Sequence, residues 1–236
     1  MALPKLDLPT FELTIPSTEQ KVKYRPFLVK EEKVLMMALE GKDSREMANA
    51  LKQIINNCCI DEVDVSKLAP FDLEYFFLNL RSKSVGNTID VKYNCQSEDC
   101  DAIQEIEIDV DKVEVHKDPN HNNKIELTDD VGIIMKYPEI TTMSNQNFDA
   151  DSVDDILGVV IDCMEAIYDE SSVYKMKDTD KQETKEFLEG LTQTQFVKIR
   201  DFFETMPKIK YESDVVCGKC NHEFKLEIEG MQNFFG

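Results

Sequence analysis

The sequence predicts an α+β chain: a helical N-terminal region, then an antiparallel sheet that carries two cysteine turns and is interrupted by an inserted helical segment. Three observations predict it. Apolar residues recur with helical spacing through Ser84, strict alternation of apolar and polar residues begins at Thr88 and returns after Pro207, and helical spacing reappears between the two alternating stretches. The expected boundaries are 1–86 for the N-terminal extended segment and helical region, 87–138 with 207–236 for the discontinuous sheet, and 139–206 for the helical insertion.

The first residues read as extended chain, interrupted by Pro4, Pro9 and Pro16, with an alternating run KVKYRPFLV from Lys21 to Val29. KEEKVLMMALE then has helical character up to Gly41, and Ser44 is placed to cap a second helix with Met47, Leu51, Ile54 and Cys58 on one face. Vicinal Cys58 and Cys59 close that helix as small buried residues. Pro70 suits the first turn of a third helix, whose stripe of Leu73, Phe76, Phe77 and Leu80 reads as core, with Arg81 and Lys83 at its negative end.

From Thr88, TIDVKYNC, IQEIEIDVDKVEV and KIELTDDVGIIMKYP alternate as three strands, the last two separated by HKDPNHNN, a composition that predicts a hairpin loop. In SVDDILGVVIDCMEAIY, the residues Val153, Ile156, Leu157, Val160, Met164, Ile167 and Tyr168 keep to one side of a helix capped by Ser152. KMKDTDKQ reads as a polar linker. Thr192 and Gln195 then form a capping box for a helix with an apolar face of Phe196, Ile199, Phe203 and Met206, stopped by Pro207. The last segment predicts two strands around C-x-x-C.

The chain's 236 residues, 42% of them hydrophobic, suffice for a core, and its formal net charge of −20 argues against a nonspecific grip on phosphate backbones. No stretch approaches a membrane span, and Met1 to Thr10 shows neither a signal-peptide core nor transit-peptide character, so the expected location is a cytoplasm. Carboxylates crowd Glu98 to Asp118, and Asp149 to Glu170 lacks Lys and Arg; such runs read first as solvated faces and second as docking surfaces for a basic partner. The expected partners are proteins, with no nucleic acid, membrane or small-molecule substrate.

Seven cysteines in this context point to reduced thiols or metal ligands before disulfides. Cys217 and Cys220 sit in VVCGKCNHEF, and YNCQSEDC supplies Cys95 and Cys100 at a strand end. Two facing hairpin turns could offer zinc four thiolates in a tetrahedron, with Asn221 suited to the left-handed position after the second cysteine. The first turn is wider, C-x4-C, and His222 could replace one cysteine. Structural zinc is the expected state; unliganded thiols and a disulfide or redox pair are the alternatives. Four thiolates leave no open position, which argues for scaffolding over catalysis.

No other motif carries chemistry. Asp149 and Asp151 begin like a calcium loop, but Val153 stands at the third ligand position; His116 and His121 lack an H-E-x-x-H helix; phosphate loops, dinucleotide fingerprints and nucleophile elbows are missing. The expectation is that the chain is not an enzyme.

The opening MALPKL, the block VKYRPFLVKEEKVLMMALE, the strand ending IIMKYPEI, LTQTQFVKIRDFFETMPKI and the closing LEIEGMQNFF together resemble the baseplate hub assembly proteins of contractile-tailed, T-even-like bacteriophages. The resemblance implies a viral protein made late in infection, present in the host cytoplasm during assembly and, if retained, in the tail baseplate. It would act as an assembly chaperone or hub component through contacts with other hub proteins. The cysteine pairs also resemble zinc ribbons, making the expected sheet zinc-ribbon-like. The alternative function is an acidic zinc-ribbon adaptor for transcription or replication proteins. Phe27 and Leu28, in a stretch that reads as core strand or interaction edge, and Met231, Phe234 and Phe235 near the terminus are the candidate partner contacts.

Overall fold

The computed structural model describes residues 7–41, 43–140 and 152–230. In chain order these form β1 (Phe11–Thr14), β2 (Lys21–Tyr24), α1 (Val29–Gly41), α2 (Ser44–Cys58), α3 (Pro70–Ser84), β3 (Thr88–Asn94), β4 (Ile103–Asp109), β5 (Glu114–His116), β6 (Lys124–Glu126) and β7 (Gly132–Met135). There follow α4 (Val153–Cys163), β8 (Met164–Tyr168), β9 (Val173–Lys175), α5 (Lys181–Glu189), α6 (Gln193–Glu204), β10 (Lys208–Val216) and β11 (Glu223–Glu229). The chain is thus mixed α and β, with antiparallel strand pairing throughout the described sheets. It divides into two compact units, one of residues 1–116 with 208–236 and one of residues 117–207.

In the first unit α3 is the central element. Phe71, Leu73, Phe76, Phe77, Leu78 and Leu80 are all buried, the all-round apolar surface of a helix enclosed by its neighbours. Pro70 occupies its first turn, and the Asp72 carboxylate accepts the Ala69 N–H at 3.2 Å and the Ser17 N–H at 2.9 Å. Burial pushes the Asp72 carboxyl up, against these bonds. Leu51, Ile54, Ile55 and Cys58 bury the inner face of α2, and the Tyr24 ring meets Phe76 edge-on at 5.3 Å. The cap of α2 is Asp43, which accepts the Arg45 N–H at 2.8 Å; Ser44, expected to be the cap, lies inside the helix because Asp43 offers the stronger acceptor one residue earlier.

The expected single zinc-ribbon-like sheet is divided: β3 and β4 form a two-stranded hairpin, while β11, β10 and β5 form a separate three-stranded sheet in that order. Asp109 ends β4 by accepting the Asp111 N–H, and a 3-10 turn over Val110–Lys112 separates β4 from β5, so IQEIEIDVDKVEV is two strands.

The second unit is built on a four-stranded sheet, β6-β7-β8-β9. Ile125, Leu127, Ile133, Met135 and Met164 pack against Leu157, Val160 and Cys163 of α4, Leu188 of α5, and Ile199 and Phe202 of α6. The Ser152 hydroxyl accepts the Asp155 N–H at 3.3 Å, and Thr192 with Gln195 completes a capping box for α6.

Three expectations fail here. HKDPNHNN does not close a hairpin, since β5 pairs with β10 and β6 with β7; turn composition dictates a reversal and leaves the partner open. The helix expected to run through Tyr168 stops at Cys163, and Met164–Tyr168 pairs with β7 and β9, so the segment expected to be helical carries strands. Over five residues, apolar positions satisfy both periods, and the sheet partners decide between them. The polar linker KMKDTDKQ leads at its end into α5, a helix whose two apolar residues Phe187 and Leu188 are too few for a periodic signal; Asp180 caps it through the Gln182 N–H at 2.7 Å.

Candidate metal centre

The tips of two hairpins meet in the first unit. The β3–β4 register, from Thr88 opposite Asp109 to Asn94 opposite Ile103, ends with Cys95 and Cys100 in the connecting turn. The β10–β11 register ends with Val216 opposite Glu223, which leaves Cys217 and Cys220 at its tip. Backbone bonds fix both turns: Cys95 N–H to the Ala102 carbonyl at 2.9 Å, Cys217 N–H to the His222 carbonyl at 2.9 Å, and Asn221 N–H to the Cys217 carbonyl at 2.9 Å. Asn221 takes the left-handed conformation, φ 56°, that the tight C-x-x-C turn requires and that asparagine tolerates.

All four sulfur atoms lie within 4.8 Å of one another and could hold a metal ion. Cys95 and Cys220 approach to 3.7 Å, and Cys100 and Cys217 to 3.8 Å. The wider C-x4-C turn still reaches the cluster, with the Cys100 N–H folded back onto the Ser97 carbonyl at 3.1 Å. Cys95 and Cys217 are buried and pack with Phe224, Tyr93, Ala102 and Val215, while Cys220 is exposed. The cluster therefore has an apolar floor and one wet side. His222 stacks on Phe224 at 6.2 Å and is not among the four clustered ligands.

Electrostatics single out Cys217. The backbone N–H groups of Cys220 and Lys219 face its sulfur and bring the thiol down to about 6. At Cys95, Cys100 and Cys220 one backbone N–H (Ser97, Ala102 and His222 respectively) lowers the value, but desolvation and neighbouring thiols outweigh it and the thiols stay raised. A thiolate is the form in which cysteine could ligate a soft metal, because ligation needs the deprotonated sulfur.

Sequence reading misses the groups that brace this set. Gln104 on β4 donates its Nε2 to Cys217 Sγ at 3.4 Å and accepts the Gly218 N–H on Oε1 at 3.1 Å, tying one hairpin to the other's turn. Lys219 pairs with Asp101 across the same gap. Alternation marks Gln104 only as a polar strand position; no sequence signal aims it at a particular sulfur.

The other candidate contacts are dispersed. Phe27 is buried, its N–H bonded to Ser84 Oγ at 2.9 Å, whereas Leu28 is 37% exposed at the start of α1. Met231, Phe234 and Phe235, and the calcium-like positions Asp149 and Asp151, lie outside the described residues. Cys58 and Cys59 have thiols pushed up to about 11 and about 12, burial being the main cause. His121 is half-buried at the edge of the second unit's core, stacked on Tyr137 at 5.6 Å with Nδ1 2.9 Å from Thr205 Oγ1. Among the described residues no helix is long and apolar enough to cross a membrane.

The family model described as T4 bacteriophage base plate protein matches residues 8–236 of this chain. No curated protein matches it, and no solved structure does.

Proposed function

Because this chain belongs to the family of T4 bacteriophage base plate proteins, we propose that it helps build the central hub of the tail baseplate, as an assembly chaperone or hub component acting through protein contacts and without catalysis. The family match over residues 8–236 is the observation that carries this reading. An exposed apolar face on α1 supports it: Val29 is 79% exposed, Met36 56% and Met37 62%, a side-chain set suited to contact with another protein.

In the same reading Cys95, Cys100, Cys217 and Cys220 hold a structural zinc ion. Zinc–sulfur bonds of about 2.3 Å give a tetrahedral tetrathiolate with edges of about 3.8 Å. The 3.7 Å and 3.8 Å contacts match that edge length, and the remaining pairs within 4.8 Å need only a small contraction. Bound there, the ion supplies a closed-shell cross-link between the hairpin tips. Phe224 and Tyr93 shield one side of it, and Gln104 orients Cys217.

The test is mass spectrometry of the partners of a tagged copy in infected cells, together with its abundance in purified particles. Hub proteins among the partners and absence from mature particles mean a chaperone, and stoichiometric presence in particles means a hub component. Replication or transcription partners without tail proteins contradict the proposal.

A further inference from the structure

In the second unit a cleft of about 460 Å³ opens beside β9. Lys136 follows β7, Lys175 ends β9, Lys177 lies in the 3-10 turn over Met176–Asp178, and Lys181 begins α5; all four line the cleft. Asp162 and Glu165 oppose them and leave the lining net positive. Met164 and Met176 contribute apolar surface. Two of the lysines are already engaged, Lys181 with Asp162 at 3.0 Å and Lys136 with Glu139 at 3.5 Å. Lys175 and Lys177 are exposed and form no ion pair among the described residues.

A positive cleft on a chain of net charge −20 is a local inversion of the surface field. Long polyanions are repelled by the chain's net charge of −20, which disfavours nucleic acid. A short segment with carboxylates spaced along it carries less charge against that field and meets the lysines, and its apolar atoms meet the methionines. We infer that this cleft binds an acidic, extended segment of a partner protein, with Lys175 and Lys177 taking its carboxylates. The inference rests on the reading that the chain works by protein contacts and is independent of the metal centre in the other unit.

The test is an NMR titration of the isotope-labelled full chain with a short poly-glutamate peptide at low salt. The expected result is saturable shifts confined to the amides around Lys136, Lys175, Lys177 and Lys181. Lys177→Glu weakens binding by about tenfold, while Lys33→Glu, the same charge change on the exposed side of α1, does not. Circular dichroism confirms that both variants fold. Shifts spread evenly over the lysines, equal occupation by inorganic phosphate, or tighter binding of a single-stranded oligonucleotide would each overturn the inference. The titration needs no baseplate partner, so its failure leaves the hub reading standing, and missing hub partners leave the cleft standing.

Discussion

The sulfur atoms of Cys95 and Cys220 lie 3.7 Å apart although 125 residues separate them. Cys100 and Cys217 repeat the relation at 3.8 Å over 117 residues. Each contact joins the first cysteine of one turn to the second of the other, so an ion bound to all four would cross-link two hairpins that belong to different sheets. Such a link closes a loop containing all of residues 117–207, the second compact unit, and restricts the unfolded chain accordingly.

Gln104 is the group whose removal separates bracing from ligation. Gln104→Ala leaves four thiolates and should preserve one metal per chain, but it should weaken affinity by about 10- to 100-fold. A chelator competition titration measures this. Unchanged affinity would mean that the 3.4 Å contact to Cys217 does not orient the ligand.

Metal loading should expel protons. At pH 7 Cys217, with its thiol at about 6, is already mostly ionised, while Cys95, Cys100 and Cys220 are raised above the ordinary 9.0 and carry theirs. Loading at pH 7 therefore releases about three protons, and affinity falls as pH drops, more steeply once Cys217 is protonated too. Calorimetry in buffers of different ionisation enthalpy counts them; a count near zero contradicts a tetrathiolate.

Glu31 gives the first unit a defined acid sensitivity. It is 1% exposed, accepts the Leu28 N–H at 2.8 Å and pairs with Arg25 at 3.1 Å. Burial opposes its ionisation, but Arg25 and the Leu28 N–H prevail and hold it below the ordinary 4.5. A carboxyl lowered by folding contributes stability that is fully present above about 4.5 and is lost as pH falls through the folded value. Glu31→Gln removes the ion pair but leaves Arg25 its bonds to the Pro26 and Asn57 carbonyls, and should cost about 1–3 kcal/mol at pH 7 and progressively less in acid. Urea denaturation at both ends of that range checks it, and a pH-independent difference would contradict the assignment.

Two glycines should respond to alanine with opposite signs. Tyr168 lies directly over Gly132 in the β7–β8 register, and a Cβ there would meet the Tyr168 hydroxyl and stand 2.5 Å from the Ile125 carbonyl oxygen. Gly132→Ala should destabilise the second unit by about 1–3 kcal/mol. Gly158, inside α4, has nothing within 4 Å of such a Cβ, so Gly158→Ala should stabilise by about 0.5–1 kcal/mol. Thermal melts of both variants decide, and a shared sign would refute the packing described.

What the sequence makes legible is local chemistry with a long lever. Pro70, Ser152 and the Thr192–Gln195 box mark helix starts because capping acts within one turn. The cysteine quartet is legible because its spacing and strand-end placement are those of thiolate turns, and the structure brings all four together. Pairing partners are not legible: β5 finds β10 across the whole of residues 117–207, and β8 takes its identity from β7 and β9. Gln104 was hidden for the same reason, since its role depends on a hairpin more than 100 residues away. Ser44 lost its expected role to a neighbour of the same capping class, a difference of one residue that helix-end signals do not resolve.

The most direct test of the proposed metal centre is native mass spectrometry of the intact chain, expressed in zinc-supplemented medium, beside Cys217→Ser. One zinc per wild-type chain, lost in the variant together with hydrogen-exchange protection of residues 93–103 and 215–224, is the result expected here. A metal-free wild-type chain under those conditions, or a Cys217→Ser variant that keeps its zinc and melts unchanged, would contradict it.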